Sequence, residues 1–221
     1  MNVQRGKDLD ATGFGLTEAD LPPLADSPPQ SRFDIRQWWD ADRRDLPFEL
    51  EIGSGKGTFL LQQATQLPDI NYLGIEWARE YWLYAADRMR RHDLRGVRML
   101  YTDATTFVRW YVPDELFRQI HIYFPDPWPK KRHHKRRSIS ADFLREAHRV
   151  LTPAGIIRIV TDHDDYFAWI NEHVAMVSDL FDVIPFERPV AAGEGEVVGT
   201  NFERKYRREG RPFNALALKK K

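Results

Sequence analysis

The sequence predicts an α/β fold, a mostly parallel, seven-stranded sheet with helices on both faces. Three observations predict it. Short apolar runs alternate with helix-period segments from Phe48 to about Val177. A glycine-rich turn, Gly53-Ser54-Gly55-Lys56-Gly57, follows the first run. Carboxylates then recur where the next three runs end, at Glu76, Asp103 and Asp126. In open α/β sheets that edge is where ligands bind.

Residues 1–31 read as a flexible tail, with Gly6, Gly13, Gly15, Pro22, Pro23, Pro28 and Pro29 and no sustained periodicity. One domain, 32–221, follows; its length suffices for a substantial core. Ile35, Trp38 and Trp39 show helical spacing before Pro47. Strands are expected over 48–52, 70–75, 97–101, 119–124, 156–160, 181–185 and 213–218. Helices are expected over 58–66, 78–92 and 105–111, then from Ile139 to Leu151, then over 164–177. Pro153 and Gly155 are read as the stop of the fourth helix. The segment 190–199, with three Gly and two Glu, reads as a mobile loop.

Composition narrows the function classes. There is no cysteine, which excludes a disulfide framework and a Cys-based metal site. The N-terminus lacks the apolar core of a signal peptide, and no stretch approaches a membrane span, so the protein is read as cytoplasmic with no membrane partner. The net charge is zero, but the charge is not evenly spread. Residues 1–30 hold five acids and two bases, residues 128–137 six Lys or Arg and no acid, and residues 204–221 eight Lys or Arg against Glu209. Local field steers a polyanion, so the two basic segments point to a defined anionic partner.

Glu51-Ile52-Gly53-Ser54-Gly55-Lys56-Gly57-Thr58 admits three readings. A phosphate-binding loop needs a Gly six residues before Lys56, where Leu50 stands, and Glu51 repels phosphate, although Gly55-Lys56-Gly57-Thr58 is similar to some nucleotide kinases. A dinucleotide fingerprint needs its third Gly three positions after the second, and here the gap is two. The third reading is Glu-x-Gly-x-Gly-x-Gly, whose acid suits a cationic ligand. Glu76 can then accept from ribose hydroxyls and Asp103 from an adenine amino group, although each alone also suits a helix N-cap.

After the fourth strand comes Phe124-Pro125-Asp126-Pro127-Trp128-Pro129, then Lys130-Lys131-Arg132-His133-His134-Lys135-Arg136-Arg137. Proline fixes its own φ and holds the preceding residue extended, so Asp126 is carried on a stiff turn. Together with Thr161-Asp162 after the fifth strand and Thr200-Asn201-Phe202-Glu203-Arg204-Lys205, this block resembles the bacterial tRNA (guanine-N7)-methyltransferase family over roughly residues 48–218. The Phe-Pro-Asp-Pro-Trp block with its basic run is the specific part, and Pro129 stands where many members carry His or another residue.

The resemblance implies a Rossmann-like class I S-adenosylmethionine (SAM) methyltransferase fold, with SAM as cofactor and tRNA as partner. It implies methylation at N7 of a variable-loop guanosine, position 46. The cofactor set would be Glu51, Gly53, Gly55, Glu76, Asp103 and Asp126, with Asp126 also catalytic. Lys130, Asp162, Thr200, Asn201, Phe202 and Glu203 would meet the guanosine. Arg132, His133, His134, Lys135, Arg136 and Arg137 would meet the RNA. No metal is implied: His133 and His134 lie among Lys and Arg with no Cys in the chain. No obligate protein partner is evident, and monomer and homodimer both remain open. Tyr123 and Phe124 are read as core, Trp128 and Phe202 as surfaces on which a base can stack. A SAM methyltransferase acting on another substrate, a nucleotide kinase and a non-enzymatic RNA-binding module of the same fold are the competing functions.

Overall fold

In the computed structural model, which describes residues 8–221, the chain forms two units, one ending at Pro113 and the other beginning at Asp114. Among the described residues eight strands form rather than seven, four in each unit. No described helix is long and apolar enough to cross a membrane.

The first unit contains β1 (Gly15–Thr17), α1 (Pro28–Ser31), β2 (Phe48–Ile52), α2 (Thr58–Gln66), β3 (Asn71–Glu76), α3 (Arg79–Arg91), β4 (Val97–Tyr101) and α4 (Ala104–Trp110). Its strands lie in the order β1-β4-β3-β2, and every pairing is parallel. Leu50, Leu73 and Leu100 are wholly buried, as expected of strands covered on both faces. Trp82, Ala85, Ala86 and Met89 are the inner face of α3, and Trp82 Nε1 donates to the Met99 carbonyl at 2.8 Å.

The eighth strand, β1, lies inside the stretch read as a tail. Gly15, Leu16 and Thr17 pair with Met99, Leu100 and Tyr101. Close approach explains the glycine: a Cβ at Gly15 would stand 2.6 Å from the Ala11 Cβ and 2.8 Å from the Trp82 ring. Thr17 and Asp20 form a reciprocal capping box just beyond it. Residues 1–7 of that stretch lie outside the described residues.

The second unit contains β5 (Phe117–Tyr123), α5 (Ala141–Val150), β6 (Leu151–Thr161), α6 (Asp164–Ala175), β7 (Phe181–Ile184), α7 (Asn201–Arg208) and β8 (Asn214–Lys220). Their order is β5-β6-β8-β7, with β5 and β6 parallel and the other pairs antiparallel. Pro153 and Gly155 do not end α5. The helix stops at Val150, and both residues sit in β6 where the register jumps from Phe117↔Leu151 to Gln119↔Ile156. A bulge is where a strand tolerates a proline, which has no N–H for the ladder.

The glycine-rich turn is a product of backbone geometry. Gly53 and Ser54 donate to the Ile75 carbonyl at 2.9 and 3.1 Å, so the turn folds back over the end of β3. Gly53, Gly55 and Gly57 all have left-handed φ, at 77°, 52° and 65°. A Cβ at Gly57 would also meet Met89 Cε at 2.6 Å and Ala85 Cβ at 3.1 Å, whereas one at Gly53 would meet nothing within 4 Å. Left-handed backbone costs a non-glycine residue about 1–2 kcal/mol. Gly53→Ala should therefore lose about that much stability, and Gly57→Ala clearly more, because Met89 must also move. Urea unfolding of both variants checks this; equal losses would show that Met89 yields freely.

Candidate functional site

The acids of the first unit leave parallel strands and so gather at one edge. Glu51 is 3% exposed, and its Oε2 has no hydrogen-bond partner among the described residues. The Ser54 hydroxyl donates to the Glu51 carbonyl at 3.4 Å. Desolvation pushes the Glu51 carboxyl up to about 8, against a hydrogen bond from the Ser54 side chain and with the charge of Glu76 adding a smaller push. Glu76, ending β3, accepts from the Gly55 amide at 2.7 Å and the Ala78 amide at 2.8 Å, so it clamps the glycine-rich turn to its own strand end. Asp103 is the N-cap of α4, its Oδ1 accepting from the Thr106 amide at 2.8 Å and the Thr105 hydroxyl at 2.6 Å. Burial raises its carboxyl, and the bonds from Thr105 and Thr106 outweigh that and hold it below the ordinary range.

This set fits a ligand that carries positive charge and hydroxyls. An orphaned, buried carboxyl oxygen is costly unless a donor or a cation completes it. Gly53 is open to solvent, so a ligand can approach its backbone. Trp77, which the sequence reading passed over, follows Glu76 and is 67% exposed. Lys56, the residue a phosphate-binding loop would aim at its ligand, lies over the Tyr81 and Tyr84 rings at 5.9 and 5.6 Å.

In the second unit Asp126 is exposed on a turn of unusual backbone. Phe124 and Trp128, either side of Pro125-Asp126-Pro127, have φ of 52° and 43°. Two left-handed residues so close together persist only where their surroundings hold them. The Phe124 amide donates to the Val160 carbonyl at 2.7 Å, and its ring packs edge-on to Tyr206 and Phe213 at 5.7 and 5.4 Å. Tyr123 is buried, its hydroxyl 2.7 Å from His121 Nδ1. Because β5 and β6 are parallel, with Tyr123 opposite Val160, Asp126 and Asp162 leave the same edge.

Asp162 is half-buried and ion-paired to Arg211 at 2.7 Å. Arg211 also lies over the Tyr206 ring at 4.3 Å. Burial, then the charges of Asp162, Glu209 and Asp126, push the Tyr206 phenol up. Sequence reasoning missed Tyr206 and Arg211; the available signal was the i, i+4 pair Phe202 and Tyr206, whose rings are 6.0 Å apart.

Thr200-Asn201-Phe202-Glu203 divides into two kinds of residue. Thr200 caps α7 by accepting from the Glu203 amide at 3.0 Å. Glu203 is wholly buried and accepts from the amides of Val197, Val198 and Gly199 at 2.5, 2.8 and 2.8 Å. These two anchor the end of the 190–199 segment, and Asn201 and Phe202 are the members that face outward. A Thr-x-x-Glu capping signal was present in the sequence, and it marks the helix α7 that the apolar pattern did not reveal.

The basic residues divide in the same way. Lys130 precedes, and Lys131–Arg136 form, a single 3-10 helix. Lys130, Lys131, Arg132, Lys135 and Arg136 are exposed and have no acidic partner among the described residues. Arg136 lies over the Trp128 ring at 4.9 Å, and His133 meets that ring edge-on at 5.8 Å. His134 packs on Trp169, 4.0 Å from Asp165. Arg137 is buried and bonded elsewhere. The C-terminal basic segment is largely neutralised in place, by Arg204–Glu196, Arg207–Glu203, Arg211–Asp162, Lys220–Glu115 and Lys221–Asp182 ion pairs. No metal-binding group of three or more His, Cys, Asp or Glu occurs among the described residues.

Comparison with known proteins bears on the family and the fold. A family model described as putative methyltransferase matches residues 45–216. The tRNA (guanine-N(7)-)-methyltransferase of Rhodopirellula baltica is 34% identical over 220 residues, covering 96% of this chain and 76% of that protein. The protein of the same name from Bacillus subtilis is 31% identical over 177 residues, covering 80% and 82%. Among solved structures, TrmN from Thermus thermophilus aligns with a TM-score of 0.56 at 19% identity over 85% of this chain and 48% of that one. A SAM dependent methyltransferase from Aquifex aeolicus aligns with a TM-score of 0.51 at 15% identity over 79% and 81%. The structural likeness establishes the Rossmann-like SAM methyltransferase fold.

Glu51 makes a pH prediction. Its carboxyl is raised from about 4.5 in the unfolded chain to about 8 in the fold. The folded state therefore binds the extra proton between these values, and stability is fully present below the lower one and falls as pH rises toward the upper. Each pH unit in that window costs about 1.4 kcal/mol at most. Glu51→Gln removes the titration. The variant should gain on the parent protein, in melting temperature, as pH goes from 5 to 8. A constant difference across that range would show that Glu51 is ionised throughout.

Proposed function

The chain belongs to the tRNA (guanine-N7)-methyltransferase family, and on that premise we propose that it transfers a methyl group from SAM to N7 of a guanosine in tRNA, at position 46 of the variable loop. The observation that carries this reading is Asp126, exposed on a stiff turn and followed within ten residues by five cations without acidic partners among the described residues. Such a pairing suits a reaction on an anionic polymer that develops positive charge at the reacting base.

Bound SAM supplies an electrophilic methyl group on a sulfonium. In the first unit, Glu51 offers its open oxygen to the positive charge of that ligand, Glu76 accepts from the ribose hydroxyls, and Asp103 accepts from the adenine amino group. Gly53 and Gly55 let the backbone come close. The three carboxyl groups suit a cationic ligand with hydroxyl and amino donors, and they would repel a phosphate.

Guanine N7 has a lone pair and no proton. Its methylation calls for no general base at that atom, and the purine becomes cationic. The residues then have two tasks, alignment and a negative surrounding for the emerging charge. Asp126 performs both, Asp162, ion-paired to Arg211, serves alignment, and either can accept from guanine N1–H and the 2-amino group to select guanine. Asn201 and Phe202 contact the base from α7, Phe202 by stacking. Thr200 and Glu203 serve by holding the 197–199 backbone. Lys130 meets the guanosine, and Lys131, Arg132, Lys135 and Arg136 hold phosphates, which gives affinity and register more than sequence choice. Trp128 carries Arg136 in place on its ring face.

The decisive experiment incubates unmodified tRNA with methyl-labelled SAM and maps the labelled nucleoside. Label in 7-methylguanosine at position 46 is expected; label at another guanosine would correct the position, and no label would overturn the activity. Asp126→Asn keeps the shape and loses the charge. Its single-turnover rate should fall by at least about 100-fold, the scale seen when one preorganised polar group is lost. A rate near that of the parent protein would move the chemical role to Asp162.

RNA binding makes a separate prediction. Neutralising Lys131, Arg132, Lys135 and Arg136 together should reduce the slope of log K for tRNA against log salt by roughly 3–4. SAM affinity should not change. Filter binding across a salt series measures the first and calorimetry the second. An unchanged slope would mean that this helix is only a solvated face.

A further inference from the structure

Arg137 ends the basic run, but its side chain is 1% exposed. Its Nε donates to the Pro127 carbonyl at 2.9 Å. Its Nη2 is ion-paired to Asp165. The guanidinium lies over the Tyr166 ring at 4.9 Å and the Trp169 ring at 5.3 Å. Those aromatics are fixed in turn: Trp169 Nε1 donates to the Ile139 carbonyl at 2.8 Å, and the Tyr166 hydroxyl accepts from the Ile139 amide at 3.3 Å. A guanidinium so enclosed would have to break all of these contacts to reach a phosphate.

The two ends of this clasp are informative. Pro127 directly follows Asp126, and its carbonyl belongs to the peptide that enters Trp128, where φ is 43°. Asp165 lies in the first turn of α6, which begins two residues after Asp162. One guanidinium thus ties the turn that carries Asp126 to the helix that starts just beyond Asp162. The geometry needs two divergent hydrogen bonds and a flat cation against two rings, which Arg supplies and Lys does not.

We propose that Arg137 is a positioning residue: it sets the backbone of the Asp126 turn relative to the start of α6, and it does not contact tRNA phosphate. The inference rests on the methyltransferase reading above and deepens it. It separates Arg137 from Arg136, its neighbour in the chain, which is exposed and lies on Trp128.

The test compares Arg137→Lys, Arg137→Gln and Arg136→Gln with the parent protein. The readouts are single-turnover methylation at saturating tRNA and SAM, the salt dependence of tRNA binding, SAM affinity, and melting temperature. Arg137→Lys keeps a positive charge, so a phosphate contact would survive it with nearly the parent rate. As a positioning residue, its loss should lower the rate roughly 100-fold, the effect of misplacing a reacting group by about an ångström. The salt slope for both Arg137 variants should match the parent, while Arg136→Gln should lower it by about 0.7–0.9. A purely structural role would lower the melting temperature and leave the rate of the folded enzyme unchanged. A parent-like rate for Arg137→Lys, or a slope change in Arg137→Gln equal to that in Arg136→Gln, would overturn the proposal. Should the Arg137 variants fail to fold, Asp165→Asn carries the test, because Asp165 is 61% exposed and its replacement empties no core. A slower rate with an unchanged slope supports the clasp, and an unchanged rate overturns it. Failure of the parent protein to methylate tRNA would overturn the activity itself, an outcome the parent control reveals separately.

Discussion

Parallel strand pairing is the constraint on which the placement of the chemistry depends. Parallel neighbours all end on the same edge, so residues far apart in sequence meet without any specific long-range contact between them. In the first unit, β2, β3 and β4 bring Glu51, Glu76 and Asp103 to one edge through two parallel registers. In the second, the parallel pair β5 and β6 does the same for Asp126 and Asp162. Antiparallel pairing at either place would send alternate acids to opposite ends.

Within that frame the charges fall into two classes, and hydrogen-bond satisfaction separates them. Glu203 accepts three backbone amides, Arg137 is enclosed by a carbonyl, a carboxylate and two rings, and most of the C-terminal basic residues are matched by acids. These groups hold structure, and their charge contributes little to any field felt at a distance. Among the described residues Glu51 Oε2 is buried without a hydrogen-bond partner, and the cations at 130–132 and 135–136 are exposed without an acidic one. Burying a carboxyl with one oxygen left without a donor works against folding, so packing alone does not favour Glu51 there. A cationic ligand does, because it stabilises the ionised form that burial disfavours.

The sequence was legible where one short pattern determines the outcome. The helix over 58–66 and the strand over 48–52 match the structure to the residue, since a glycine turn, an apolar run and a helix period punctuate them clearly. It was illegible where a partner decides. Gly15-Leu16-Thr17 is too short to show alternation and becomes a strand only because β4 offers an edge. Pro153 looked like a helix stop because a bulge in β6 cannot be foreseen without its register against β5. At the candidate site, the acids were legible as residue types at strand ends. The split between Arg136 and Arg137 was not, because nothing in a run of like charges says which one turns inward. Nor was the Arg211–Asp162 pair, whose partners are 49 residues apart in sequence.

On the proposed reading, Asp126 depends on the stiffness of the turn that carries it. A general base must be near its proton and poised to accept it, and it tolerates some motion between steps. A carboxylate that only orients a base and opposes a growing positive charge acts through distance and angle, so movement reduces its effect directly. The turn answers that need in three ways: prolines on both sides limit its backbone, left-handed residues at 124 and 128 fix where the chain enters and leaves, and Arg137 holds the carbonyl that follows. The left-handed residues raise the energy of this turn by about 1–3 kcal/mol each. The packing of Phe124 against Tyr206 and Phe213, and of Trp128 beneath Arg136, offsets that cost. The strain is therefore local and held from several elements of the second unit at once, which is what keeps one exposed carboxylate in one place.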